Sequence, residues 1–158
     1  MQVNNRVRAL LVDATGRLLL IKRVKPNHEP YWVAPGGGVE HDDESFESAL
    51  RREIREELGG HIEIIKLVMV IEEPGDHHVT VRQHVYLTRL IGYDLSQRYG
   101  PEFDDPMRGE YIPEHVELSQ EQLARLNMRS EDLKAFLITY HDSLDGLPDL
   151  REPLLYAG

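Results

Sequence analysis

The residues most suggestive of chemistry are three glutamates in one short segment, Glu53, Glu56 and Glu57. On a helix that turns by about 100° per residue, they span an arc of only about 100°. Like charges three and four residues apart repel each other by about 0.2–0.5 kcal/mol per pair. Near the C-terminus of a helix they also oppose the helix dipole. Helix electrostatics alone therefore do not favour this arrangement.

A divalent cation would account for the spacing. Hard cations such as Mg²⁺ prefer carboxylate oxygens and usually retain several waters. Such an ion would offset the repulsion, activate water and neutralise phosphate charge. The alternative is an ordinary exposed helix face with the i,i+4 ion pairs Glu47–Arg51 and Arg52–Glu56. Most glutamate-rich helices bind no metal, so charge spacing alone leaves both interpretations open.

The segment that carries the glutamates is predicted to be a helix from Phe46 to Leu58, because it lacks glycine and proline. Asp43 or Ser45 can cap its start, and Gly59 and Gly60 end it. Apolar residues recur every four positions along it: Phe46, Leu50, Ile54 and Leu58. This stripe should pack on a sheet, with Glu57 at its edge.

Segments that favour strands precede and follow this helix. They are Val7 to Val12, Arg17 to Val24, Tyr31 to Val33, Ile62 to Glu72, His78 to Leu90 and Tyr111 to Leu118. The first two are expected to form a hairpin. Pro35 to Gly38 and Ser96 to Arg108 are predicted to be irregular loops. Ser119 to Leu126 and Ser130 to Leu144 are expected to be helices with serine caps. This order predicts a layered α/β fold with the central helix on one sheet face and the terminal helices on the other.

The glutamates also belong to a longer motif. Gly38, Glu44 and the segment from Arg52 to Gly59 match the pattern G-x5-E-x7-R-E-U-x-E-E-x-G-U, in which U is a bulky aliphatic residue, at eight positions in register. This pattern is the Nudix box, and the chain resembles the MutT-like Nudix hydrolases. The last position departs from the pattern, because Gly60 stands where an aliphatic residue is usual, and Ile62 is expected to supply the missing contact.

The resemblance implies a Nudix-type α/β/α sandwich with a mixed central sheet. It implies one domain over residues 1–158, with a core at about 3–142 and a C-terminal tail at 143–158. Three glutamates match the family's metal-binding positions: Glu53, Glu56 and Glu57. Gly37 matches a backbone-carbonyl metal ligand, and Arg52 the arginine that orients the catalytic glutamates. Glu44 matches a supporting glutamate that can act through water. In some members the glutamate that corresponds to Glu53 is assigned as the general base instead of a metal ligand. The implied cofactor is Mg²⁺, with Mn²⁺ also suited.

Candidate substrate contacts lie outside the helix. Alternation along a strand would point Arg6 and Arg8 to one face, and Arg23 and Gly38 are further candidates. Tyr31, Trp32 and Phe103 are candidates to stack on a base. Four acids in or after the polar loop are candidates for a general base: Glu102, Asp104, Asp105 and Glu110. Ordinary solvated surface charge remains the alternative for the arginines and for the acids.

Composition limits the functional classes. The net charge of −10 argues against a nucleic-acid polymer as partner, although a bound metal can reverse the local sign of an acidic pocket. The absence of cysteine excludes disulfides and thiol catalysis. No signal peptide or membrane span is visible, so a cytoplasmic protein is expected, and a homodimer is possible. The expected activity is hydrolysis of a nucleoside diphosphate derivative, such as a nucleoside triphosphate or ADP-ribose. The alternatives are a catalytically silent nucleotide-binding module with the same fold, or a structural domain with an accidental motif.

Overall fold

A computed structural model describes residues 2–151. Its helices and strands are β1 (Gln2–Val12), β2 (Leu18–Val24), β3 (Tyr31–Val33), β4 (Gly36–Gly38), α1 (Phe46–Leu58), β5 (Gly60–Pro74), β6 (Val79–Tyr93), β7 (Glu110–Val116), α2 (Gln120–Arg125) and α3 (Glu131–Tyr140). Short 3-10 helices lie in the connections, at Asp76–His78, Leu95–Gln97, Pro101–Phe103, Pro106–Arg108 and Leu144–Gly146. None of the helices within residues 2–151 combines the length and the apolar character needed to cross a membrane.

The strands form one mixed sheet in the order β3-β2-β1-β6-β5, with β4 added to β1 and β7 added to β2. β1 runs parallel to β6 over its whole length and antiparallel to β2 only at Leu11 and Val12. The N-terminal half of β1 pairs instead with β4, where Arg6 lies opposite Gly38. β1 and β2 therefore diverge beyond their short contact, and a cleft opens between them.

Two apolar cores cover the two faces of the sheet. On one face, α1 packs through Leu50 and Ile54 against strand residues such as Leu11 and Leu19. On the other face, the neighbouring strand residues Leu10, Leu18 and Leu20 meet α2 and α3. The alternation of adjacent leucines between two cores follows from the period of two along a strand. The predicted arrangement, with helices on opposite faces of the sheet, is confirmed.

The bounds of α1 are those predicted from the sequence, because its end signals are local. Ser45 caps the start and accepts a hydrogen bond from the amide of Ser48 at 3.0 Å. Gly59 ends the helix in the left-handed conformation at φ 59°, and its amide donates to the carbonyl of Arg55 at 2.9 Å. A side chain at Gly59 would overlap the carbonyl of Asp94, so this close approach also requires glycine.

The prediction of an irregular loop over Pro35 to Gly38 was wrong for Gly36–Gly38, which form β4. Glycine-rich segments rarely form strands, but here the backbone must lie very close to β1. At Gly36, φ is 151° and a Cβ would overlap the carbonyl of Val7. The length of the last predicted helix was also wrong, since α3 ends at Tyr140. Leu144 lies beyond it in a 3-10 helix and is buried in the core.

The chain after the last helix packs against β5, an edge strand of the sheet. The amide of Leu150 donates to the carbonyl of Leu67 at 2.9 Å. The guanidinium of Arg151 reaches Glu47 on α1 at 2.7 Å. This segment therefore covers part of an exposed strand edge and ties it to the helix that carries the glutamates. The remainder of the predicted tail, residues 152–158, lies outside the described residues.

Candidate active site

The polar edge of α1 forms one wall of the cleft, which has a volume of about 630 Å³. Five glutamates line it: Glu40, Glu53, Glu56, Glu57 and Glu102. Six arginines line it as well: Arg6, Arg8, Arg23, Arg52, Arg108 and Arg129. Both signs of charge therefore converge on one cavity, as a site for a metal ion together with an anionic substrate would require.

Arg52 joins the loop before α1 to the glutamates of the helix. Its guanidinium donates to both carboxylate oxygens of Asp43 at 3.0 Å and to the carbonyl of Gly38 at 3.0 Å. The Nη1 nitrogen of the same group reaches Glu53 at 3.1 Å and Glu56 at 3.3 Å. These hydrogen bonds from Arg52 hold the pKa of Asp43 below its ordinary value of 3.8. Arg52 thus fixes the approach of the loop and keeps two glutamates together.

Two of the glutamates lie where a negative charge is costly. Burial raises the pKa of Glu57 to about 8, with Arg8 opposing the shift and the charge of Glu53 adding to it, although its carboxylate accepts an amide hydrogen bond from Gly36 at 3.2 Å. Burial also raises the pKa of Glu53, and the nearby charge of Glu56 adds to the shift. A bound cation would reverse both effects, because it favours the ionised form of each carboxylate.

The glycine strand β4 passes directly against these carboxylates. A Cβ at Gly37 would lie 2.5 Å from the carboxylate of Glu53, so only glycine leaves that side chain its present position. This contact places the backbone of Gly37 beside the helix glutamates. The prediction that its carbonyl is a metal ligand is consistent with that position.

The metal-binding chemistry of the cluster depends on how its oxygens are engaged. Among residues 2–151, no three acidic or histidine side chains already converge as a ready metal site. The guanidinium of Arg52 bonds Glu53 and Glu56, and Glu57 faces the amide of Gly36. The donors are nevertheless carboxylate and carbonyl oxygens, which hard divalent cations prefer, and the charge cluster would be relieved by such an ion. The residues therefore fit a divalent cation once the carboxylates turn toward it.

The predicted substrate contacts come together in the cleft. Arg6, Arg8, Arg23 and Gly38 all line it, and Arg6 and Arg8 lie on one face of β1, as their spacing predicted. The guanidinium carbon of Arg23 lies 3.6 Å from the ring centroid of Tyr111. Burial lowers the pKa of Arg8, and the adjacent charge of Arg6 lowers it further. These arginines would gain from an anion in the cleft.

Several predicted site residues do not line the cleft. Glu44 is exposed and lies outside the residues that line the cleft, and Asp43 makes the contact with Arg52. Of the four loop acids, only Glu102 lines the cleft. Asp105 instead caps a 3-10 helix by accepting from the amide of Met107 at 3.0 Å. The remaining two, Asp104 and Glu110, are exposed.

Sequence reasoning missed three residues that shape the site, and of these three Arg129 alone lines the cleft itself. It treated Asp43 only as a possible helix cap, and it assigned no role to Arg98 or Arg129. Arg98 donates to the carbonyls of Glu57 and Tyr111, both at 2.9 Å, and so ties the loop after β6 to the end of α1. No spacing signal marks these residues, because each reaches the site through a loop whose course depends on distant contacts. Gly60 stands where the Nudix box usually has an aliphatic residue, and Ile62 packs in the apolar cluster of α1, as expected.

Comparison with known proteins agrees with this geometry. The sequence model of the NUDIX domain matches residues 3–137, most of the chain. The chain belongs to the Nudix hydrolase family. It is 26% identical over 156 residues to the RNA pyrophosphohydrolase of Teredinibacter turnerae, with 88% of each chain covered. The predicted family and Nudix α/β/α fold are confirmed, and the chain is a pyrophosphohydrolase that acts on phosphoric anhydride bonds of nucleotide-like substrates.

Solved structures show the same fold. The MutT NUDIX hydrolase from Burkholderia pseudomallei has 26% identity and a TM-score of 0.60, with 88% of this chain and 98% of that chain covered. A NUDIX hydrolase from Nitrosomonas europaea has 19% identity and a TM-score of 0.66, with 93% and 97% covered. Nudix hydrolases generally use divalent metals, in agreement with the oxygen donors of this cleft.

The close contacts of β4 predict different effects for two neighbouring substitutions, one on activity and one on stability. Gly37→Ala meets only the end of the flexible Glu53 side chain, so we expect the variant to fold but to lose activity by about tenfold or more as the carboxylate is displaced. Gly36→Ala meets the backbone of β1 and should destabilise the fold itself. Thermal unfolding and steady-state turnover of both variants check this. Full activity in Gly37→Ala would contradict the placement of Glu53.

Burial of Glu57 predicts a stability effect in the metal-free protein. Its pKa of about 8 in the fold lies above the ordinary value of 4.5, so folding favours the protonated form. As pH rises from about 4.5 to about 8, the unfolded chain loses its proton first and folding stability falls. Glu57→Gln should remove this loss and raise the Tm at pH 8 by about 2–4 °C for each kcal/mol regained.

The measurement is thermal unfolding in EDTA at pH 5 and at pH 8. The difference in Tm between wild type and Glu57→Gln should be large at pH 8 and should shrink at pH 5, where Glu57 is protonated in the fold. An unchanged or lower Tm for the variant at pH 8 would show that burial does not penalise this carboxylate.

Proposed function

We propose that this Nudix hydrolase cleaves the diphosphate linkage of a nucleoside diphosphate derivative, with Mg²⁺ held by Glu53, Glu56, Glu57 and the carbonyl of Gly37. One observation carries the proposal. The three glutamates lie on one wall of a cleft that arginines from β1 and β2 also line, so metal ligands and phosphate contacts face the same space. When bound, the ion neutralises phosphoryl charge and lowers the pKa of a coordinated water, and Mn²⁺ would serve similarly.

Arginine side chains bind the substrate and position the glutamates. Arg6 and Arg8 bind the phosphoryl oxygens, and Arg23 binds the substrate further along the cleft. Arg52 holds the carboxylates of Glu53 and Glu56 in position. A water attacks one phosphorus, the bond from that phosphorus to the bridging oxygen breaks, and the other phosphoryl group leaves with the bridging oxygen. Positioning and charge stabilisation supply most of the rate enhancement in such reactions.

The proton of the attacking water needs a carboxylate acceptor. Glu53 is one candidate, because its carboxylate lines the cleft on α1, and in this role it would accept the proton in place of binding the ion. Glu102 is the second candidate, since it is the loop acid that lines the cleft. We assign Glu44 a supporting role through water, while Asp43 holds Arg52 directly.

The substrate class includes nucleoside triphosphates, ADP-ribose and similar diphosphate derivatives. The relative from Teredinibacter turnerae is named an RNA pyrophosphohydrolase, which adds the 5′ end of RNA as a candidate. The exclusion of nucleic-acid polymers, the homodimer and the cytoplasmic location expected from the sequence stay predictions.

The test is release of phosphate or nucleotide from a panel of these compounds, with Mg²⁺ and with EDTA. We expect turnover only with the metal. Glu53→Gln and Glu56→Gln should lower kcat by about 100-fold or more, because general-base and metal-ligand contributions are of that size. Glu63→Gln removes the same charge from an exposed position on β5 and should retain activity.

Two outcomes would contradict the proposal. Turnover that persists in EDTA would exclude the metal-dependent mechanism. Nucleotide binding by the folded protein without turnover of any compound would instead support the catalytically silent module.

A further inference from the structure

A second group of cations surrounds one aromatic ring in the cleft. The guanidinium carbon of Arg129 lies 4.1 Å from the ring centroid of Tyr31. The Nζ of Lys25 lies 5.5 Å from it, and the guanidinium carbon of Arg23 lies 5.9 Å from it. We call Arg23, Lys25 and Arg129 the Tyr31 cluster. Three positive charges around one ring repel one another, and an anion among them would offset that repulsion.

None of the three cations has an acidic partner within residues 2–151, since no carboxylate oxygen lies within 4.0 Å of them there. The chain has 28 acidic and 18 basic residues, so unpaired cations in a group are unexpected. Arg23 donates to the carbonyls of Arg108 and Glu110, but neutral carbonyls leave its charge uncompensated. The cluster is therefore a local positive centre in an acidic protein.

The cluster is held in place by ordered contacts. Tyr31 is 7% exposed and lies in β3. The amide of Arg129 donates to the carbonyl of Trp32 at 2.8 Å, which brings the loop between α2 and α3 against β3. Arg23 stacks on Tyr111. Tyr31, Arg23 and the backbone of Arg129 are fixed in this way, so fewer groups lose conformational entropy when a ligand binds there.

The pKa of Tyr31 reflects the positive potential of the surrounding cations. Burial acts to raise the pKa of Tyr31, but the hydrogen bond from Lys25 and the charges of Arg23 and Arg129 outweigh it and hold that pKa below 10. An aromatic hydroxyl is thus shifted toward its anionic form by the surrounding cations. A ligand anion would experience the same field.

Arg23 and Arg129 of the cluster line the same cleft as the glutamates, whereas Lys25 reaches the Tyr31 ring from outside that lining. Arg23, Tyr31 and Arg129 line the cleft together with Glu53 and Glu57. Tyr31 is five residues before Gly36, whose amide contacts Glu57. Five residues of extended chain reach at most about 17 Å, which a nucleotide with phosphates at both ends can bridge. One ligand can therefore occupy both places.

We propose that the Tyr31 cluster binds a phosphoryl group on the part of the substrate opposite the scissile diphosphate. The substrate class is then a nucleoside diphosphate derivative that carries a second phosphate ester on its ribose. That phosphate can be a monoester on a free nucleotide or the first phosphodiester of an RNA chain. This inference rests on the proposed function, because it assigns the other end of the same cleft.

The experiment compares three substrates with Mg²⁺, in an adenosine and a guanosine series. They are the nucleoside 5′-triphosphate, the same compound with a 3′-phosphate, and the 5′-triphosphorylated dinucleotide. We expect wild type to favour one or both of the 3′-phosphorylated compounds by about tenfold in kcat/KM, mainly through KM, as for a charge-assisted contact. A preference shared by both compounds assigns a general phosphate site, and a preference for the dinucleotide alone assigns an RNA 5′ end.

The variants Arg129→Gln and Lys25→Gln should lose this preference while they retain activity on the simple triphosphate. Arg125→Gln is the matched control, because Arg125 is an exposed arginine in α2 that does not line the cleft. Calorimetric binding of adenosine 3′,5′-bisphosphate and of adenosine 5′-monophosphate gives a second readout that needs no turnover. Tighter binding of the bisphosphate by wild type, lost in Arg129→Gln but not in Arg125→Gln, is expected.

Equal kcat/KM for all three compounds, or equal affinity for the bisphosphate and the monophosphate, would overturn the subsite. The proposed function would stand in that case if Mg²⁺-dependent turnover were still lost in Glu53→Gln. Absence of turnover on every compound would instead contradict the proposed function, and the binding measurement would still decide the subsite.

Discussion

The guanidinium of Arg52 lies among the carboxylates of Asp43, Glu53 and Glu56 and also bonds the carbonyl of Gly38. Carboxylates gathered at the edge of a buried helix face repel one another and lose hydration, and only a cation among them offsets both costs. Arg52 supplies one positive charge for this purpose. It also joins the loop, the glycine strand and the helix, so the shape of the cleft depends on that one side chain.

The packing of the helix and strands places these carboxylates and shapes the cleft around them. Burial of leucines and isoleucines holds α1 on the sheet, and its apolar stripe brings Glu57 to the edge of the core. The divergence of β1 from β2 opens the cleft, and β4 closes one side of it at a distance that only glycine permits. The charges then differ along the cleft, with carboxylates near α1 and an unpaired cationic cluster around Tyr31. A ligand with a metal-bound diphosphate at one end and an anion at the other matches that distribution.

Some of this could be predicted from the sequence, and the reasons are local. The bounds of α1 followed from Ser45 and Gly59, whose capping hydrogen bonds involve residues within five positions. The placement of helices on both sheet faces followed from apolar periodicity. The motif located the glutamates and Arg52. Its spacing suggested Glu44 as the supporting acid, whereas the structure gives the contact with Arg52 to Asp43.

The rest depends on contacts between distant residues. A glycine triplet gives no signal for a strand, because β4 exists only through its pairing with β1. Arg129 reaches the cleft because its backbone bonds Trp32, nearly one hundred positions earlier, and no periodicity encodes that contact. Of the four loop acids that the sequence offered as a general base, Glu102 lines the cleft because of how the loop folds, and composition does not determine that fold.

The proposed mechanism requires that the glutamates of α1, gathered by Arg52 and β4, hold a divalent cation. The most direct test is anomalous diffraction from crystals soaked in Mn²⁺, collected under conditions where the enzyme is active. We expect an anomalous peak within bonding distance of carboxylate oxygens of Glu53, Glu56 or Glu57, beside the carbonyl of Gly37. No peak in the cleft, or a peak only at other side chains while Mn²⁺ supports turnover, would contradict it.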